Sequence, residues 1–309
     1  MSASPGPGIC SGWPCCRSVA SRTSPGLQVE AVTPAPLPVS VSEAESARAE
    51  TWREQLLSGL AALPRGAEIG SFWHTLLEEA AAAGFAHDAD SLRRLDDIIA
   101  RECALRRWAE QAPVLQQALR AWLRHDLGLP VQPDGRRPAQ VALGDLRTYQ
   151  VELEFWLSSH RVDVQALDHA VRCHTLGGRP RPALLPARLE GLFKGFMDLV
   201  FLHDGRYYIA DYKSNFLGDA SADAGRYAPD ALAEDVARHR YDLQYALYLL
   251  ALHRQLRARL PDYDYDRHVG GAVYLYLRGW DGQGGGVHAE RPPRALVEAL
   301  DALFAGGGQ

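Results

Sequence analysis

The sequence predicts a mixed α/β fold in which a helical segment precedes a sheet flanked by helices. Three observations carry this. Apolar residues recur at helix spacing from Ser46 to Leu127, the period falls to two after Asp145, and an Asp-Gly dipeptide at 204–205 separates two apolar runs. Helices first, then strands around a further helix, define the mixed class.

Residues 1–45 are rich in Pro, Ser, Gly and Ala and have little periodic pattern. Such a stretch buries too little surface to offset its ordering entropy, so a disordered tail is expected. Trp52, Leu56, Leu57 and Leu60 then form a helical stripe, as do Phe72, Leu76, Leu77 and Ala80. Leu95, Ile98, Ile99 and Leu105 repeat it within 92–108, and Pro113 suits the entry of a helix over 114–123. Val151, Leu153, Phe155 and Leu157 alternate with Glu152, Glu154 and Trp156, which predicts a half-buried strand. Residues 192–203, 207–213 and 272–277 read as three more strands, and 231–260 as one or two helices ended by Pro261. The expected organisation is a helical segment over 46–145 and a core over 146–309.

The 309 residues carry a formal charge of −5 with 47% hydrophobic and 23% charged residues, the balance of a soluble globular chain. Mild acidity excludes a basic coat along the whole sequence but not a local groove. Residues 169–189 hold Arg172, Arg179, Arg181 and Arg188 and no acid, which reads either as a solvated loop or as a basic patch. The longest apolar run, Tyr245 to Leu252, has eight residues, far short of the roughly 18 of a membrane span. The start lacks the apolar core of a secretory signal, so a cytoplasmic location is expected. Five cysteines, without a C-x-x-C pair, suggest reduced thiols rather than a disulfide framework or zinc ribbon.

Of the 33 basic residues only Lys194 and Lys213 are lysines. Lys213 belongs to the stretch that carries chemistry. Asp204-Gly205 between apolar runs signals a two-residue type I′ hairpin, whose register sets Asp198 across from Asp211. Facing Cβ atoms in such a pair are about 4.5–5.5 Å apart. Two carboxylates that close repel, and a divalent cation with a taste for oxygen ligands, Mg²⁺ or Mn²⁺, resolves the conflict. Period two puts Lys213 on the face of Asp211, where an ammonium stabilises developing phosphoryl charge or orients the attacking water. Two acids, a lysine and a metal suit phosphodiester hydrolysis; a charged hairpin face without function is the competing reading.

The stretch 191–215, GLFKGFMDLVFLHDGRYYIADYKSN, closely resembles the C-terminal nuclease domains of the RecB family, beta subunits of exodeoxyribonuclease V. The resemblance continues through 239–253 and 270–279, and upstream GSFWHTLLE at 70–78 is similar to the family's histidine helix. The family belongs to the PD-(D/E)XK nucleases, which implies a restriction-endonuclease-like fold and Mg²⁺-dependent hydrolysis of DNA, mainly single-stranded, in double-strand-break repair and recombination. It implies that Asp198 and Asp211 are acidic metal ligands, that Lys213 is the catalytic lysine, and that His74 and the Tyr212 backbone carbonyl complete the ligand set. Gln244 and Tyr248 match the family's Q-x-x-x-Y motif and share a helix face, where they contact DNA or support the site. Glu152 and Glu154 lie in the strand where the family carries an acid, and either one fits. Arg179 and Arg181 with their neighbours, and Arg238, Arg240 and Arg254, are placed to steer phosphates. Partners implied are DNA and RecC- and RecD-like subunits. No Walker A loop occurs, and almost nothing precedes the matching region, so a fragment, a split gene product or a stand-alone relative is expected. Two cysteines near the core are too few for the four-cysteine iron–sulfur cluster of related nucleases, so no cluster is expected. The rival reading is a non-catalytic docking module for RecC- and RecD-like partners.

Overall fold

A computed structural model of the chain describes residues 43–85 and 88–306, leaving aside the side chains of 43–47 and of 224. The expected tail, 1–45, lies almost wholly outside the described residues. Four helices come first: α1 (Glu43–Ala62), α2 (Ala67–Ala82), α3 (Ala89–Leu105) and α4 (Ala112–Trp122). Pro113 sits in the first turn of α4, where its missing N–H costs nothing. Then follow β1 (Thr148–Asp163), α5 (Val164–His174), β2 (Arg188–His203) and β3 (Arg206–Lys213). The chain ends in α6 (Pro229–His239), α7 (Tyr241–Arg259), the short α8 (Tyr265–His268), β4 (Val269–Tyr276), β5 (Val287–Glu290) and α9 (Arg294–Phe304).

The five strands form one mixed sheet in the order β1-β2-β3-β4-β5. The β2–β3 hairpin has the expected register, with His203 opposite Arg206 and Leu199 opposite Ala210. Asp204 and Gly205 have φ of 49° and 74°, the two positive values a type I′ turn requires. β3 and β4 run parallel, so the chain must cross over between them, and it does so through α6 and α7.

Each sheet face carries a core. Leu199, Phe201, Tyr208, Ala210 and Leu275 pack under α1–α4, together with Leu60, Phe72, Trp73 and Leu76. Val200, Ile209, Ala272 and Tyr274 pack against α7 and α9. Two members of the expected stripes lie outside: Trp52 is 43% and Leu105 72% exposed, since each sits at the margin of its helix's buried face.

The expected single-faced alternation of β1 is broken. Val151 packs on the α1–α4 core, whereas Leu153, Phe155 and Leu157 pack on the other one. The switch falls at Glu152, whose φ is +46°, and the ladder skips from Val151–Leu199 to Leu153–Met197. Glu152 and the facing Asp198 thus leave the regular pleat together, a local distortion of the kind that concentrates at functional sites.

The arginines expected to steer phosphates are mostly engaged within the fold. The Arg181 side chain is fully buried, 2.7 Å from Asp242, and donates to the Thr175 hydroxyl and carbonyl. Arg240, at the left-handed joint between α6 and α7, pairs with Asp168 at 2.7 Å and Asp242 at 3.1 Å. Arg254 pairs with Asp301 at 2.6 Å, Arg238 pairs with Asp235, and the more open Arg179 lies 3.1 Å from Asp230. Within 169–189, Arg179 and Arg181 find their acids 51 and 61 residues away, which is why the stretch looked unneutralised. Arg181 and Arg240 therefore brace α5, the loop after it and α7, and a phosphate contact for Arg181 is ruled out by its burial. Arg181→Ala, which takes from the buried Asp242 the closer of its two arginines and leaves Arg240 as its counter-charge, is expected to lower the unfolding free energy by about 2–3 kcal/mol in urea melts, and joint replacement of Arg181 and Asp242 by leucine to cost less.

Candidate metal and nuclease centre

The site forms where β2 and β3 part company. Their pairing runs up to Leu199–Ala210, and one step further Asp198 Oδ2 accepts the backbone N–H of Tyr212 at 2.8 Å. The two aspartates are therefore near neighbours, as the hairpin predicts, but not a regular cross-strand pair. Asp211 is 2% exposed. Burial first, and the Asp198 charge second, raise its carboxyl far above the usual carboxylate range.

α2 brings His74 to the same place. Trp73, next to it, is fully buried and edge-on to Trp122 of α4 at 5.5 Å, which fixes the helix. One turn earlier, Gly70 lets α2 approach the segment after Lys213: a Cβ there would stand 3.0 Å from Ser214 Oγ. Arg278, 1% exposed, donates both to the Ser214 carbonyl and to the Leu60 carbonyl at the end of α1, tying that segment to the helical layer. His74 Nδ1 consequently lies 3.4 Å from Asp198 Oδ2. Burial disfavours the imidazolium, but the hydrogen bond and charge of Asp198 outweigh it, and the pKa is raised.

The distortion in β1 supplies a third group. Ligand atoms of His74, Glu152 and Asp198 all lie within 4.8 Å of one another, a span that one ion can bridge. Glu154, by contrast, pairs with Lys194 at 3.1 Å and accepts the Trp156 indole N–H at 2.6 Å. Of the two candidate glutamates, the structure brings Glu152 to the site. Glu78, one turn beyond His74 on α2, has its pKa raised by burial and then by Asp198; Glu152 responds in the same way. Burial is the larger cause of each shift and the charge of Asp198 adds to it, and a cation at this cluster would relieve both. The donor set is one imidazole with carboxylate oxygens, so these residues fit a divalent ion. Asp211 itself is outside the three-residue cluster.

Asp211 is held instead by Lys213, whose Nζ lies 2.6 Å from Oδ2. Lys213 also donates to Gln244 Oε1 at 3.0 Å and sits 4.1 and 4.9 Å from the ring centroids of Tyr241 and Tyr274. Gln244 in turn donates to the Tyr248 hydroxyl at 2.8 Å and accepts the Tyr274 hydroxyl at 3.0 Å. Gln244 and Tyr248 thus stand behind the lysine, and Tyr248 is 8% exposed. Sequence reasoning missed Glu78, Tyr241 and Tyr274. Glu78 was signalled by its i, i+4 spacing from His74. Tyr274 faces Asp211 only through the β3–β4 pairing, and Tyr241 only through the joint at Arg240, neither of which the sequence pattern exposes.

The sequence profile of the PD-(D/E)XK nuclease superfamily matches residues 46–305. The chain belongs to that superfamily, and its mixed sheet with a preceding helical segment agrees with the fold. Among curated proteins it is similar to the RecBCD enzyme subunit RecB of Escherichia coli, 40% identical over 79% of this chain and 19% of that protein. It is 35% identical to RecB of Haemophilus influenzae over 80% of this chain and 19% of that protein. RecB of Mycobacterium tuberculosis is 33% identical over 81% of this chain and 24% of that protein. The chain therefore spans about a fifth to a quarter of these relatives' length. Nucleases of this superfamily use divalent metal ions.

Calorimetric titration with Mn²⁺ separates the two glutamates: Glu152→Gln is expected to weaken binding roughly ten- to hundredfold, and Glu154→Gln to leave it unchanged. Equal losses would reject the assignment.

Proposed function

We propose that this chain is a magnesium-dependent deoxyribonuclease of the RecB type, cutting phosphodiesters mainly in single-stranded DNA. The observation that supports it most is the placement of His74, Glu152 and Asp198 within reach of one cation, beside an ammonium that is anchored by Asp211 and Gln244.

His74, Glu152 and Asp198 would hold Mg²⁺, with Asp211 and the Tyr212 carbonyl as the further ligands the family resemblance implies. Bound there, the ion supplies Lewis acidity toward the scissile phosphate and acidifies the attacking water. An ammonium has three N–H donors. Asp211 and Gln244 engage two from Lys213, which leaves one for a phosphoryl oxygen or the incoming water. The tyrosine rings of Tyr241 and Tyr274 keep the ammonium in place by cation–π attraction, and so hold it charged close to where negative charge grows. Asp198 Oδ2 also accepts the Tyr212 N–H, which fixes that carboxylate beside His74. The relatives' names place RecB in the RecBCD enzyme, so RecC- and RecD-like subunits are the partners we propose, in double-strand-break repair and recombination in the cytoplasm. Among the described residues no helix is long and apolar enough to cross a membrane.

Labelled single-stranded and duplex DNA, incubated with and without Mg²⁺, tests the proposal. Wild type is expected to cut in magnesium only, with single strands preferred. Asp211→Ala and Lys213→Ala are expected to lower the rate at least about 10²- to 10³-fold. Cleavage by the variants at the wild-type rate, or no cleavage by wild type, contradicts it.

A further inference from the structure

We propose that the β1–β2 ribbon beyond Glu152 and Asp198 is a base-stacking platform for one nucleic-acid strand. The inference rests on the nuclease reading and extends it to how the substrate is held. Trp156 is 52% exposed and Phe196 41%, unusual for rings of this size in strands. Register sets Glu154 across from Phe196 and Trp156 across from Lys194. These four alternate with Leu153, Phe155, Leu157 and Met197, which face the α7 core, so they point to the opposite side of the sheet. That is the side from which α2 delivers His74. Strand geometry advances about 7 Å every two residues, so Phe196 follows Asp198 by one such step and Lys194 by two. The platform is thus continuous with the acid cluster.

Its chemistry suits a strand with flat bases and phosphates. Lys194 Nζ lies 5.2 Å from the Trp156 ring centroid and 4.8 Å from that of Phe196, and pairs with Glu154. Glu154 also accepts the indole N–H, so one carboxylate anchors both the ammonium and the indole. Exposed aromatic rings beside a cation, in line with a phosphodiester site, are the elements of sequence-tolerant single-strand binding. Because Glu154 offsets the Lys194 charge, stacking rather than phosphate attraction supplies the gain, and that gain is insensitive to salt.

The test compares the full 309-residue wild type with Trp156→Ala and Trp156→Phe. Binding of a labelled single-stranded oligonucleotide, and of an abasic strand of equal length, is followed by anisotropy in chelator. Trp156→Ala is expected to bind the base-bearing strand about tenfold more weakly at both low and high salt, and Trp156→Phe to stay within about twofold. All three should bind the abasic strand alike. Equal affinity of the three for the base-bearing strand overturns the platform; if wild type still cuts DNA in magnesium, the nuclease reading stands. Unchanged DNA binding with loss of a wild-type dimer in Trp156→Ala assigns the face to contact between copies and also overturns it. A wild type that neither binds nor cuts DNA overturns both.

Discussion

Carboxylates from three elements, Glu152 on β1, Asp198 on β2 and Asp211 on β3, meet an imidazole from α2 in a space where Lys213 is the ammonium at hand. Charge of one sign, packed at that density and partly buried, is costly to the fold unless cations neutralise it. Lys213 takes Asp211, and the remaining cluster of His74, Glu152 and Asp198 has the size and donor chemistry for one divalent ion. The raised pKa values of Asp211, Glu152 and Glu78 are the same conflict seen from each member.

The scaffold around this cluster is stiff where the site needs it. The left-handed Glu152 and the parting of β2 from β3 aim two carboxylates into one place. Arg278 bridges the carbonyls of Ser214 and Leu60, linking the strand that bears Lys213 to the helices that bear His74. On the far side, Asp235 accepts from Asn215 at 2.8 Å and from the Tyr276 hydroxyl at 3.1 Å, and Asn215 donates to the Tyr241 hydroxyl at 3.1 Å. Tyr241 is one of the rings over Lys213, so the loop after β3, α6 and α7 together set the lysine's position. Interactions of this kind matter because a misplacement of about 1 Å costs catalysis on the order of 10²-fold.

Much of the centre was legible in the sequence because it is written in local signals. Asp-Gly fixes a two-residue turn, the turn fixes the register, and the register brings Asp198, Asp211 and Lys213 together. The choice between Glu152 and Glu154 was not legible. Strict alternation treats both as equivalent outward residues, and only a positive φ at Glu152, which nothing in its neighbours demands, turns one of them inward. Arg181 was hard to place for a related reason: its acid, Asp242, is supplied by the tertiary fold, not by adjacent sequence. The same holds for Tyr241 and Tyr274, which reach Lys213 from a helix start and a parallel strand. The helices α5 and α9 and the short strand β5 also went unpredicted; β5 has four residues, too few for a period to show.

Anomalous diffraction from crystals soaked in Mn²⁺ tests the central assignment most directly. The account predicts a peak bonded to His74, Glu152 and Asp198. A peak on Asp211 and Lys213's neighbours without Glu152, or no peak among these residues at saturating metal, would contradict it.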